Sequence, residues 1–493
     1  MTIHARGFRR RIGVTSEAPP DAAVEFSLVL PEAVSGVLVA KVADEVASIA
    51  RRRAAEAGVE QRIAVHTTSN PLGPIEVSLS GRPLALINGV EPDDEQWLSR
   101  VSSAVERALV RRRSLLLNDS LASMHADRLA KMTEDQRLDR YQAVPALLLD
   151  AGISLRELEK VEFQVSPRGC SVSAEIAEVF IDAYAATTLE VEVSDKLLRS
   201  TVSGEDAMRS ARQDLYNRTG LQLPDVVLRW SGSNPKAIRA KFNDVRVPVT
   251  TIGPASTWPM AVNAVMRVVE QYGDWFVRMH DIDRILNQFA PVVPELVNVS
   301  SRRYSVAMLT AVLRALLANG SSIRNLPRIL SILIDADLPA SLPDGVPFSA
   351  ADPADASAEL RDPDVIASTI RRRIIEEGWM AHCIPNMQGG VSVPLEVESA
   401  LRLRPGSSDR SSAEWRLVRL TSALEAPTTV VTHTPDMIAA VRYALKALPT
   451  SWHVIASQEL PAALPMPPVM TEGRSAAVPL AGPSPKPGAY PLA

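Results

Sequence analysis

The sequence predicts a multidomain protein of mixed α/β and α+β class. Two tandem βαββα-plus-helical units come first, and a C-terminal α/β unit follows. Three observations predict this. Short segments alternate apolar and polar residues with period two, and longer ones space apolar residues three and four apart. Landmarks recur at nearly constant offsets: Gly58 with Gly220 (162), Ile75 with Ile238 (163), Trp97 with Trp258 (161), Gly152 with Gly320 (168). The length of 493 residues suggests about three domains.

The first unit is expected over 24–163, after a disordered N-terminus at 1–20. VEFSLVL (24–30) puts Val24, Phe26, Leu28 and Leu30 on one face of a strand. A helix carrying Val42, Val46 and Ile49 follows and stops near Gly58. EQRIAVHT (60–67) and PIEVSLS (74–80) read as two more strands, and GRP (81–83) punctuates the chain. Residues 93–112 form a helix with Trp97, Val101, Val105 and Leu109 at spacings of four. The second unit, 188–335, repeats the order. TLEVEVS (188–194) is its first strand and 204–218 its first helix, stopped by Gly220. LPDVVLRW (223–230) and AIRAKFN (237–243) are strands, and 258–277 is a helix with Trp258, Val262, Val265 and Val269. A purely local helical habit would not keep both offset and element order, so a tandem duplication is expected.

Each unit closes on a similar phrase. In the second, Val312, Leu313, Leu316 and Leu317 line one helix face, and Gly320 supplies a left-handed C-cap. Ser321 or Ser322 is the expected N-cap of the next helix, with Pro327 in its first turn. Ile323, Leu326, Ile329, Leu330 and Leu333 give the next core stripe. Gly152, Ser154, Leu155 and Leu158 do the same job earlier. Residues 336–364, rich in Pro, Ala and Asp, read as a linker. The C-terminal unit, 365–462, opens with a helix (365–377). It ends with a buried strand (428–432), a helix (435–447) and a strand (452–456). From Pro461 onward the chain holds nine of its 37 prolines, and 463–493 is expected to be a disordered tail.

Apolar residues make up 46% and aromatics only 4%, so aliphatic side chains must fill the cores. A net charge of −4, from 53 basic and 57 acidic residues, gives no general attraction to nucleic acid. The Arg runs at 51–53, 111–113 and 371–373 read as solvated helix faces. Two cysteines, Cys170 and Cys383, fit a reducing cytoplasm rather than a disulfide framework. The basic start MTIHARGFRRR lacks the apolar run of a secretory signal, and no 18-residue apolar stretch exists to span a membrane. The sequons at Asn217 and Asn298 read as chance.

The region 188–462 resembles the cytosolic half of the FHIPEP family, the export-gate proteins of flagellar and type III secretion systems. LRALLANGSSIRNLPRILSILID resembles the family's Leu-rich helix, Gly, Ile-Arg-x-Leu and second helix. DLYNRTGLQLPDVVLRW with AIRAKFNDVRV resembles its helix, Gly-x-x-Leu-Pro strand and basic strand. TTVVTHTPDMIAAVRYAL with HVIASQELP resembles its last α/β unit. The motif positions here are Gly220, Leu223, Pro224, Gly320, Ile323, Arg324 and Leu326. The resemblance implies a non-enzymatic scaffold without cofactor, acting in the cytoplasm by protein contacts. It also implies a homo-oligomer whose partners are proteins such as secretion-machine subunits, with membrane association only through a partner. Three departures stand against a full carry-over. A second copy of the cytosolic fold stands where the family has its membrane half. Only VRVPVTTIGPAST (245–257) bridges a position where the family inserts a subdomain, so chaperone binding is not carried over. The family's ion-coupling residues have no counterpart.

No P-loop, GxGxxG after a strand, HExxH or GxSxG is present. His382 and Cys383 lack companions at metal-ligand spacing. Cys170 and the Asp281–Asp283 pair read as structural, the latter as helix-terminus charges. Trp97 and Trp258 lie on apolar stripes and read as core. His433 ends a strand, where α/β proteins often place ligands. The alternative function is therefore a small-molecule binder or enzyme with its mouth at Thr432–Thr434. A nucleic-acid binder using the Arg runs is weaker, given the net charge.

Overall fold

We analysed a computed structural model. It describes residues 24–59, 61–70, 73–88, 96–133, 138–156, 158, 170, 173–184, 189–193, 205–230, 237–242, 245–248, 250–251, 257–335, 362–378, 390–404, 407–424, 429–449, 452–460 and 466–471. The expected disordered N-terminus, most of the 336–364 linker and the His382–Cys383 pair lie outside the described residues.

The chain is a mixed α/β structure in which buried apolar residues gather into three cores. The first unit begins with β1 (Val24–Pro31), α1 (Gly36–Ala57) and β2 (Ile63–Asn70). β3 (Ile75–Leu79) and β4 (Arg82–Ile87) complete a sheet of order β2-β1-β3-β4. β1 and β2 pair in parallel across the α1 crossover, and β3 and β4 are antiparallel. The period-two faces behave as expected: Val24, Phe26, Leu28 and Leu30 are all buried. The sequence reading missed β4. Its core-ward residues include Leu84, Ala85 and Leu86 in one run, because the strand is covered on both faces and so shows no alternation.

α2 (Trp97–Arg111), a 3-10 turn (Arg113–Leu116), α3 (Asp119–Met132), a second turn (Leu138–Tyr141) and α4 (Val144–Asp150) follow. α5 (Ser173–Tyr184) lies beyond the boundary expected at 163, yet Ile176 and Phe180 are buried in the first core.

The second unit repeats this scheme. β5 (Leu189–Val193), α6 (Glu205–Thr219), β6 (Val226–Trp230), β7 (Ala237–Phe242) and β8 (Val245–Arg246) give the order β6-β5-β7-β8. β9 (Thr250–Thr251) extends the last hairpin arm along β7. Even the register matches. Phe26 faces Leu79 and Ile75 faces Ile87 in the first sheet, while Leu189 faces Phe242 and Ile238 faces Thr250 in the second. Each of these positions is displaced by 163. α7 (Trp258–Gln271), a 3-10 turn (Gly273–Phe276), α8 (Met279–Phe289), α9 (Pro294–Arg303), α10 (Val306–Ala318) and α11 (Leu326–Asp335) complete the helical half. α11 starts later than expected. Asn325, not Ser321 or Ser322, accepts the Arg328 amide at 3.2 Å.

α12 (Pro363–Glu376) was expected to open the C-terminal unit. Its Ile366, Ala367 and Ile370 instead complete the second core. The C-terminal unit is a parallel sheet of β10 (Gly390–Ser392), β11 (Thr429–Thr432) and β12 (His453–Ala456). α13 (Leu395–Leu401), α14 (Ser408–Ser422) and α15 (Ile438–Leu445) cover it. The tail is a correction. Residues 466–471 do not run free: Met470 is buried, and Ser392 donates to Pro468 O while Met470 donates to Ser392 O. A short run of apolar and Pro residues finds partners on an open sheet edge.

One joint recurs in both units. Gly58 ends α1 with φ +74°, and Leu155 N donates to Ala57 O at 2.9 Å. Gly220 ends α6 with φ +77°, and Ile323 N donates to Thr219 O at 2.8 Å. A Cβ on Gly220 would lie 2.3 Å from Arg324 N, and one on Gly58 would lie 2.5 Å from Arg156 N. Both glycines are thus required twice, by their left-handed φ and by backbone contact. Gly81 has the same hand (φ +78°) but open space around it. Gly220→Ala should therefore lower stability by about 1–3 kcal/mol more than Gly81→Ala, which carries only the conformational strain. Parallel denaturant titrations of the two variants measure the difference.

Candidate functional site

The sites expected from sequence dissolve into structure. Cys170 is buried, and burial pushes its thiol up to about 11, far from a reactive thiolate. Asp281 is ion-paired with Arg278 at 2.8 Å, and Asp283 accepts from Asn287. Trp97 and Trp258 are buried in the first and second cores. His433 sits at the end of β11 as expected. Its backbone N–H and its Nδ1 both meet the buried Glu398 carboxylate, at 2.8 and 3.2 Å. Ser457 Oγ donates to the His433 carbonyl at 2.8 Å. That carboxylate holds the end of the strand. Among the described residues no group of three or more metal-ligating side chains converges.

Of the motif positions, Gly220, Ile323 and Arg324 meet in the joint described above. Gly320 has φ +74°, and Ser321 N donates to Leu316 O, as a left-handed helix end requires. Leu223 and Leu326 are buried in the second core, and Arg212 holds the Leu223 carbonyl at 2.8 Å. Pro224 follows and leads into β6.

The chemistry concentrates instead on the seam between units, and the Arg runs build it. Each run was expected to be solvated. Arg53, Arg112, Arg113 and Arg371 are all buried. Arg111 ends α2, and Arg112 leaves the helix at φ −130°, ψ 48° before the 3-10 turn restarts at Arg113. The consecutive guanidinium groups of Arg111 and Arg112 therefore point to different neighbours. Arg111 donates to Leu448 O of the C-terminal unit and to Gln271 Oε1 of the second unit, both at 3.0 Å. Arg112 donates to Pro83 O and to Glu414 Oε2. Arg53 donates to Arg246 O at 2.6 Å and to Glu106 at 2.7 Å. Burial pulls Arg113 down to about 10.

Glu414, on α14, is the centre. It is 1% exposed, and Arg82 grips it with two bonds of 3.1 and 2.6 Å. Arg112 and Arg410 approach at 3.4 and 3.5 Å. Burial alone would raise its pKa, but these guanidiniums together hold it below the ordinary carboxylate value. The Tyr443 ring lies against the same group, with the Arg112 guanidinium 4.4 Å from its centroid. The Tyr443 hydroxyl shares a 2.6 Å hydrogen bond with Ser114 Oγ, which donates on to Asp150 at 2.9 Å. Leu86 N reaches Ala447 O at 3.4 Å, and Arg419 binds Glu76 in a fork of 2.7 and 2.8 Å.

Two further pins complete the seam. Arg371 of α12 and Glu459 are buried together, joined by bonds of 2.8 and 2.7 Å, and Ser368 donates to the same carboxylate at 2.6 Å. α5 carries Glu175, Glu178 and Asp182 on one helical face. Glu175 accepts from Ser305 at 2.6 Å, Asp182 accepts from His280 N at 2.9 Å, and Glu178 lies 2.9 Å from Arg314 Nε. Burial pushes Glu178 up to about 7 despite Arg314. The sequence reading passed over this helix, although Ile176, Phe180 and the three acids carry its period.

No protein-family model and no curated protein matches the chain. Solved structures do. Chlamydia pneumoniae CdsV is 15% identical, covers 58% of this chain and 98% of its own, and has a TM-score of 0.43. Shigella flexneri MxiA is 16% identical, with 58% and 99% covered and a TM-score of 0.44. The nonameric EscV cytosolic domain from the type III secretion system is 13% identical, with 57% and 95% covered and a TM-score of 0.41.

Each match spans nearly all of the solved chain and leaves about two fifths of this one outside it. Among the described residues no helix is long and apolar enough to cross a membrane.

The seam yields two expectations. Glu414→Ala strands Arg82, Arg112 and Arg410 without their shared counter-charge and should cost about 3–5 kcal/mol. The double variant Arg112→Met/Glu414→Leu should recover part of that in the same urea titration. For Glu178 the sign follows from its raised pKa. Between its ordinary value of 4.5 and about 7 the folded chain holds the proton more tightly than the unfolded one. Its contribution is therefore full below pH 4.5 and is lost as pH rises through 7. Melting midpoints from pH 4.5 to 7.5 should fall less steeply for Glu178→Gln than for the parent.

Proposed function

We propose that this chain is a non-enzymatic scaffold of a protein-secretion machine or a derived assembly, acting by protein contacts. The observation that carries the reading is the motif joint. The residues behind the FHIPEP resemblance come from segments about 100 residues apart, and Gly220, Ile323 and Arg324 meet as one backbone contact. The phrase therefore encodes a rigid corner, which suits a part that transmits shape rather than turns over a substrate. The seam supports the same reading. Its buried acids are spent on its guanidiniums, Glu414 on Arg82 and Arg112 and Glu459 on Arg371. We further infer that the first and second units arose by duplication, on the strength of the shared strand order and register. The domain limits we favour are those of the three cores, with α5 closing the first unit and α12 the second. We place the protein in the cytoplasm, reaching a membrane only through a partner, and assembling as a homo-oligomer.

Light scattering or native mass spectrometry across protein concentration tests the reading. A closed oligomer of one defined size is expected. A monomer at every concentration, with no protein captured from a secretion-competent lysate, overturns it.

A further inference from the structure

A small cleft lies between the first unit and the C-terminal one. Arg107 and Arg111, one helical turn apart on α2, line it together with Lys446 of the C-terminal unit; Leu86 and Pro449 are among its walls. It has room for little more than one water and opens to solvent on one side.

Two of the three cations, Arg107 and Arg111, have no ion pair among the described residues. Arg107 has no hydrogen bond or ion pair among the described residues. Arg111 donates to neutral acceptors, the Leu448 and Pro449 carbonyls, Gln271 Oε1 and the Tyr272 hydroxyl. Lys446 faces the Tyr443 ring at 5.8 Å. Two nearby carboxylates are engaged elsewhere, and a third, Asp274, acts on Lys446 from the second unit. Glu106, the neighbour of Arg107, is held by Arg52 and Arg53, both at 2.7 Å. Asp150, which attracts Lys446, accepts two bonds from Ser114 at 3.1 and 2.9 Å. Burial and mutual repulsion lower the pKa of Arg107, and burial lowers that of Lys446. Positive charge is thus gathered and partly dehydrated in a concave place, with donors left over.

We propose that this cleft binds a tetrahedral oxyanion, a phosphate or phosphoryl group, held by Arg107, Arg111 and Lys446. Two guanidiniums offer planar forks to its oxygens, and the ammonium adds a point charge from the opposite unit. The anion sits half-inserted, since the cleft is small. Because its ligands come from two units, binding clamps the first unit onto the C-terminal one. This inference stands apart from the scaffold reading and holds for a monomer as well as an oligomer.

Isothermal titration of the full chain with sodium phosphate, at ionic strength fixed with sodium chloride, tests it. Arg107→Gln is the decisive variant, because Arg107 is exposed at the rim and carries no structural bond. Phosphate is expected to bind one site per chain and to raise the melting midpoint by about 2–4 °C at saturation. Arg107→Gln should weaken it at least tenfold. A parallel titration with adenosine triphosphate separates the sources: tighter binding assigns the site to a nucleotide's phosphoryl group, equal or weaker binding to free phosphate. No heat and no midpoint shift with either ligand, or binding unchanged in Arg107→Gln, overturns the proposal.

Discussion

The docking of the first unit on the C-terminal one rests on one buried carboxylate. Glu414 is charged, almost wholly removed from water, and surrounded by Arg82, Arg112 and Arg410. A lone carboxylate there would give up its charge, because dehydration outweighs what a low-polarity interior returns. Its lowered pKa means that the guanidiniums reverse that balance. They reach it only if the β4 edge, the end of α2 and α14 lie together. Apolar burial between units is non-directional and tolerates sliding. This pairing does not, so it sets how the first unit sits on the C-terminal one.

Much of the fold was legible because strands and helices with one solvated face write their period into the sequence. β1 and β5 alternate cleanly, and α7 carries its stripe from Trp258 to Val269. What was missed shares one physical cause, burial on more than one side. β4 is covered by neighbouring elements and reads as RPLALI, without alternation. α5 packs against both the first core and α10, so its acids look solvent-facing when they point at another unit. The Arg runs misled for the same reason. A run of three arginines normally faces water, and Arg51, Arg52, Arg372 and Arg373 do, but Arg53, Arg112, Arg113 and Arg371 point into protein. The buried acids that receive them, Glu414 and Glu459, are hundreds of residues or a whole domain away in sequence, so no local pattern announces the pairs.

The glycine joint was legible as a phrase but not as a contact. Gly220 and Gly320 each mark a helix end by ordinary rules, and both have positive φ. That the first of these ends presses its backbone on Ile323 and Arg324 could not be read, since only the fold brings 220 and 324 together. The contact also explains the shortness of the phrase. A backbone–backbone touch specifies glycine at one position and leaves neighbouring side chains open, so Leu155-Arg156 and Ile323-Arg324 serve equally well.

The two units also show how one backbone device takes on two roles. In each, a long helix ends, one residue leaves helical geometry, and a 3-10 turn begins. That residue is Arg112 (φ −130°, ψ 48°) in the first unit and Tyr272 (φ −120°, ψ 25°) in the second. Their backbones nearly coincide and their side chains do opposite work. Tyr272 turns inward and packs on Phe242 and Trp275, with ring centroids 5.9 and 4.8 Å away, sealing the core of its own unit. Arg112 turns outward to Glu414 and the Tyr443 ring, tying its unit to another. The corner itself is neutral between these uses, because it exposes one side chain at the boundary between core and surface. An aromatic there serves the core of its own unit, and a guanidinium serves a contact with another. That difference in side chain adds Arg112 to the contacts by which the first unit leans on the C-terminal one.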